Sequence, residues 1–281
     1  MLNNITLGQY YPAKSVVHRM DPRMKIVLLI AFIVAVFMAK TLWAFIPVVA
    51  FVFAAAKLSS LPPMLLIKGL KPLRIILVLT FIMNLFFLQG ETVLVDLGFL
   101  EIKKEPLLTA ILYAARLMLL VMGSSILTLT TAPVTLTDGL ERLLSPLRVI
   151  KFPAHEMAMM MTIALRFIPT LLEEADKIMK AQTARGADFE SGNLLKRAKA
   201  MIPVLVPLFV SAFRRAGDLA MAMEARCYHG GEGRTRLHVL KLEKRDYLAL
   251  LITCVLIAVV AVVQCVITPR LERKSRRFIV K

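Results

Sequence analysis

Two short segments of this 281-residue chain set an arginine among small residues in the same pattern. Ala175, Ala184, Arg185 and Gly186 are matched forty-one positions later by Ala216, Ala225, Arg226 and Cys227. Each arginine closes a long helix-forming stretch. Gly186 is a natural helix stop because glycine can take positive φ without a Cβ clash, and Gly230 and Gly231 are expected to stop the second stretch a little later. A cation also suits the negative end of a helix dipole. On one reading, therefore, Arg185 and Arg226 are good helix-terminating chemistry and nothing more. On the other, the small flanking residues let each helix tip enter a pocket, where the guanidinium pairs with a carboxylate or caps backbone carbonyls. The planar five-donor fork suits that geometry and an ammonium does not. Two such tips would make a two-point attachment to a dimeric or pseudo-dimeric partner, Arg185 in one half and Arg226 in the other.

Other reactive patterns are sparse. No G-x-x-x-x-G-K-[ST] occurs, so the chain has no phosphate-cradling loop of that type and any ATP-derived energy must come from a partner. His18, His155, His229 and His238 are scattered, and Cys254 and Cys265 lie in the most apolar run, so neither a metal site nor a disulfide framework can be argued and no cofactor is implied. Paired carboxylates and nucleophile constellations are missing from the apolar runs, which speaks against a membrane-bound enzyme. Arg116 lies inside an apolar run and is a functional candidate by default; with only Asn84 and Gln264 as deep polar company, a structural role is favoured. Met157, Met159, Met160 and Met161 cluster at the start of one long helix. Either they are core, or Met157, Met160 and Met161, with Leu165, form an adaptable surface for an exchangeable partner.

The elements that must hold these residues are helical. Hydrophobic residues make up 58% of the chain and mean hydropathy is +0.71, beyond an ordinary soluble domain. Apolar runs over 26–39, 42–56, 75–88, 107–130 and 247–267 predict about five transmembrane helices. The first two form either a tight hairpin divided at Lys40 and Thr41 or one helix bent at Pro47. The net charge of +17 is concentrated beside the apolar runs and over 141–245, which places that region and the N-terminus inside. Five spans leave the basic tail after Thr268 outside, against the same rule. The charge suits anionic headgroups, and with no soluble basic module it does not suggest nucleic-acid binding. The largely apolar stretch from Met157 to Leu165 in the first middle helix, bounded by Glu156 and Arg166, is too short to span. The pairs Glu173/Lys177 and Asp176/Lys180 support a water-exposed face there. Three regions follow: a membrane domain over 1–133, a cytoplasmic domain of long amphipathic helices over 134–244, and a last span with its tail over 245–281.

The chain resembles the transmembrane T component of energy-coupling factor (ECF) transporters, a branch of ATP-binding-cassette importers. The resemblance covers nearly the whole chain and rests on His18-Arg19-Met20-Asp21-Pro22-Arg23-Met24-Lys25, Arg166-Phe167-Ile168-Pro169-Thr170, Thr183-Ala184-Arg185-Gly186-Ala187-Asp188-Phe189, Met223-Glu224-Ala225-Arg226, and the stretch from Gly230 to Arg236. It is nearest the shared-module type of low-GC Gram-positive bacteria. The resemblance implies an all-α integral membrane protein of the cell membrane, itself not an enzyme, that works with two ABC-type ATPase subunits and a substrate-binding membrane S subunit in vitamin or micronutrient uptake. It implies that the tips Ala184-Arg185-Gly186 and Ala225-Arg226-Cys227 dock in the two ATPases. Cys227 departs from the pattern, where glycine is expected. The rival readings are a secondary transporter, which should show paired halves with charged or broken-helix sites, and a membrane scaffold that transduces no motion.

Overall fold

The computed structural model describes residues 10–88, 93–96, 101–189, 193–231 and 240–279. The helices are α1 (Pro22–Met38), α2 (Leu42–Leu58), α3 (Pro63–Leu70), α4 (Arg74–Phe87), α5 (Lys104–Thr130), α6 (Pro133–Leu144), α7 (Ala154–Ala184), α8 (Leu194–Glu224) and α9 (Lys244–Ile279). Two short antiparallel strands, β1 (Val93–Asp96) and β2 (Glu101–Lys103), precede α5. The fold is all-α apart from this small hairpin, which lies between the third and fourth apolar runs. Residues 26–56 form two separate helices, so the single bent helix does not occur; Pro47 sits inside α2. The helices α3 and α6 have no counterpart among the apolar runs, because each is short and only partly apolar.

Three helices are long and apolar enough to cross a membrane by length and composition: Lys104–Thr130, Leu195–Glu224 and Lys244–Val266. The second belongs to α8, whose charge-free stretch between Lys199 and Arg214 is only 14 residues. The chain divides into two compact units, one containing 140–239 and the other containing 8–139 with 240–281.

The unit of 8–139 and 240–281 packs α1, α2, α5 and α9 around Phe32, Ala35, Val36, Ala39, Val48 and Val260. Ala35, Ala39 and Ala44 lie in this cluster beside larger side chains such as Phe45, Leu119, Ile126 and Leu256, and such small residues allow close backbone approach where surrounding lipid is as apolar as the core. Gly123 of α5 leaves no room for a Cβ against the Phe32 ring. By contrast Ile75 and Phe87 of α4 are about three-quarters exposed, a surface suited to hydrocarbon.

The deep polar side chains of the apolar helices each make a bond to backbone, although the Arg116 Nε is buried without a hydrogen-bond partner. The Arg116 Nη2 donates to the Ala39 carbonyl at the end of α1 (2.7 Å), and its guanidinium lies 5.4–6.0 Å from the ring centroids of Phe37, Phe45 and Tyr113. Asn84 donates to the Thr80 carbonyl, and the Gln264 side-chain oxygen accepts from the Lys40 amide and the Thr41 hydroxyl. Arg116 thus closes a helix end within the apolar core, the structural role its isolation implies.

The start of α1 is held by a charged network. Asp21 accepts from the Arg23 amide and receives a two-point contact from the Arg23 guanidinium, which also donates to the Leu240 carbonyl. Lys25 donates to the Thr130 carbonyl and the Thr131 hydroxyl at the end of α5, both at 3.0 Å. Asp246, 1% exposed, accepts from the Asp21 amide at 3.0 Å and the Glu243 amide at 2.8 Å, so it caps α9 while gripping the chain that enters α1. The Asp21-Pro22-Arg23-Met24-Lys25 stretch therefore ties three helix ends together. Replacing Asp246 by Ala leaves two amides without their acceptor and should cost about 2–4 kcal/mol, read as a clear fall in the melting temperature of the detergent-purified protein; an unchanged midpoint would show the network to be incidental.

Candidate functional site: two arginine-tipped helices

Within the unit of 140–239, α7 and α8 end in the same way. An α-helix leaves its last carbonyls without intrahelical partners, and here the main chain folds back to satisfy them. After α7 the Ala187 amide donates to the Gln182 carbonyl (3.0 Å) and the Gly186 amide to that of Thr183 (2.9 Å). After α8 the Tyr228 amide donates to the Met223 carbonyl (3.0 Å) and the Cys227 amide to that of Glu224 (2.8 Å). These are paired Schellman closures. In each, an arginine occupies the cap position and the next residue has positive φ: Gly186 at 89° and Cys227 at 54°.

This geometry alters two sequence expectations. The second helix is not stopped by Gly230 and Gly231, because Cys227 itself takes the left-handed conformation and completes the turn. Nor do the arginine side chains terminate the helices: the main chain supplies the closing bonds, and neither the Arg185 nor the Arg226 guanidinium has a hydrogen bond or ion pair among the described residues. Ala184, Arg185 and Gly186 are exposed, as are Ala225, Arg226 and Cys227. A Cβ placed on Gly186 would meet nothing within 4 Å. Among the described residues, each tip is a narrow, open helix end with one unpaired cation.

The two helices run antiparallel. Glu174 of α7 pairs with Arg215 of α8 at 2.9 Å, while the Tyr228 hydroxyl, past the end of α8, lies 3.4 Å from the His155 Nε2 at the start of α7. Moving back along α7 therefore moves forward along α8, and the tips sit at opposite ends of the pair. At about 1.5 Å per residue, they are separated by roughly 30–45 Å. The His155 Nδ1 donates to the Glu141 carboxylate at 2.9 Å, and Gly231 abuts the same imidazole closely enough to exclude a Cβ. The second tip is thus tethered to the root of α7 by a contact that the scattered histidines did not announce.

Between the helices lies a cleft of about 290 Å³, lined by Ile163, Phe167 and Leu171 against Ala212, Ala216 and Ala220. A hydrogen bond from Ser211 lowers the Glu174 pKa; desolvation opposes this, and Arg215 lowers it further. The pair thus stays charged into the ordinary carboxylate range and weakens only as pH falls through the depressed pKa. Met157, Met160 and Met161 are exposed and Leu165 is half-buried, while Ala154 and Ala158 are buried. The methionines therefore do not form a core within this chain. On α8, Ile202, Val206, Phe209 and Phe213 are also exposed.

A non-glycine residue at positive φ is strained by about 1 kcal/mol. Cys227→Gly should raise the thermal stability of the purified protein by up to that amount and Cys227→Val should lower it, both read from melting curves; a destabilising glycine would contradict the left-handed closure.

The sequence profile of the CbiQ family, described as cobalt transport protein, matches residues 13–237. Proteins named energy-coupling factor transporter transmembrane protein EcfT are similar over nearly their whole length. That of Thermosediminibacter oceani is 52% identical over 252 residues, covering 90% of this chain and 95% of the relative. The Clostridium kluyveri protein is 50% identical over 260 residues, 92% of this chain and 96% of its own. The Listeria innocua protein is 46% identical over 258 residues, 92% and 95% respectively.

Proposed function

The chain belongs to the CbiQ cobalt transport protein family, and from that premise we propose that it is the non-catalytic coupling subunit of an ECF-type importer. Two ABC-type ATPases dock on the arginine tips, Ala184-Arg185-Gly186 in one and Ala225-Arg226-Cys227 in the other. The observation that carries this reading is the pair of identically closed, exposed tips at opposite ends of one antiparallel helix pair, each with a guanidinium unpaired among the described residues. Helix capping does not require these guanidiniums, since the main chain completes both closures. Two unpaired cations at matched positions are explained by a partner with two matched grooves.

The region 134–244 is read as the cytoplasmic coupling domain, with 1–133 and 245–281 holding about five spans. Although α8 is long and apolar enough to cross a membrane, its uncharged stretch is shorter than a bilayer requires and Arg215 is bonded to Glu174, which supports a place at the membrane surface instead. Met157, Met160, Met161 and Leu165 offer a pliable apolar surface to a substrate-binding S subunit, which would supply specificity for a vitamin or micronutrient. Closure of the ATPase pair would displace the tips, and the stiff helices would carry that displacement to the membrane.

The charge reversals Arg185→Glu and Arg226→Glu test the docking. Losing one buried, paired arginine costs on the order of 2–5 kcal/mol, with non-additive losses across a two-point attachment. Tagged wild-type protein coexpressed with its ATPases should retain both from detergent, each single variant should retain less, and the double variant neither. Undiminished retention by the double variant would remove the tip assignment.

A further inference from the structure

Glu174 and Arg215 are forty-one residues apart, the same offset that relates Arg185 to Arg226. Each stands eleven residues before its own tip. Where antiparallel helices touch at equivalent positions of a repeat, a local two-fold axis passes through the contact. The ion pair therefore marks the midpoint between two arms of equal length, each roughly 16 Å.

The charges at this midpoint are complementary where a faithful repeat would repel. On a two-fold axis identical residues face each other, and like charges there are unfavourable. The chain places Glu173-Glu174 in the first arm and Arg214-Arg215 in the second. Beside the pair the helices are parted by the cleft, which Ile163, Phe167 and Leu171 line on α7 and Ala212, Ala216, Leu219 and Met223 line on α8. Apolar surfaces separated by such a gap resist sliding and rotation weakly, whereas a partly buried ion pair has one register in which it forms. The Arg215 Nε is buried without a hydrogen-bond partner, so the guanidinium is oriented through the Nη2 bond to Glu174.

We propose that the Glu174–Arg215 pair is the fulcrum of the two arms, a pair of positioning residues that fixes the register and crossing of α7 and α8 and so the spacing of the two arginine tips. This rests on the docking reading above, because a fixed spacing matters only if both tips engage one partner. Breaking the fulcrum should leave each tip able to bind while degrading the transfer of motion between them.

The test uses Glu174→Arg, Arg215→Glu and the double swap in the full complex with both ATPases and the substrate-binding subunit, reconstituted in liposomes. Each single variant should keep its ATPases on co-purification yet lose at least tenfold in substrate transported per ATP hydrolysed, and the swap should restore at least half of wild-type coupling. Tip spacing is read separately by pulsed electron paramagnetic resonance on the full-length chain without ATPases, with labels at Thr183→Cys and Cys227 in a Cys254→Ser, Cys265→Ser background. The single variants should broaden or shift the distance distribution and the swap should bring it back. Normal coupling and spacing in the single variants, or a swap no better than they are, would overturn the fulcrum. Should Arg185→Glu and Arg226→Glu still hold the ATPases, the docking reading falls, while the distance measurement still decides the fulcrum.

Discussion

The last carbonyls of α7 and α8 must find donors outside the helix, and both helices find them in a chain reversal through one residue of positive φ. That requirement places an arginine at the cap, the outermost helical turn of each arm, with its side chain projecting from a closed and narrow end. Gly186 meets the requirement without strain and Cys227 meets it with some, yet the hydrogen-bond pattern is the same. The likeness of the tips is consequently a property of the main chain. This likeness, on helices that run in opposite directions, is the feature on which the proposed docking of a paired ATPase rests.

The unit of 8–139 and 240–281 answers a different constraint. In hydrocarbon an unpaired polar group is costly, and each deep polar side chain identified in the sequence bonds to backbone: Arg116 to Ala39, Asn84 to Thr80, Gln264 to Lys40. Of the polar atoms of these three side chains, the Arg116 Nε is buried without a hydrogen-bond partner and lies among the aromatic rings of Phe37, Phe45 and Tyr113. At the ends of the helices the logic shifts to charge, and Asp21, Arg23, Lys25 and Asp246 bind the start of α1 to the start of α9 and the end of α5.

The long helices, the main apolar runs and both tips were legible because each rests on local signals: uninterrupted apolar stretches, a glycine stop, and a repeat that can be counted. What escaped was non-local or depended on a single torsion. Asp246 is an unremarkable residue in a charged segment until the fold brings it to Asp21, 225 residues away. The left-handed conformation of Cys227 is not legible in a residue type that seldom adopts it, and the sequence points instead to the glycines beyond. The ion pair at the helix crossing was within reach, since extending the forty-one-residue offset inward aligns Glu173-Glu174 with Arg214-Arg215. The tether of Tyr228 to His155 and Glu141 had no comparable signal.

The central claim, that the tips are buried in the ATPases, is tested most directly by the thiol the second tip already carries. Cys227 is exposed and adjoins Arg226. Its alkylation by a membrane-impermeant maleimide should be at least tenfold slower when the ATPase pair is bound than when it has been stripped away. Equal rates in the two states would mean that the second tip remains in water, and would contradict the two-point attachment.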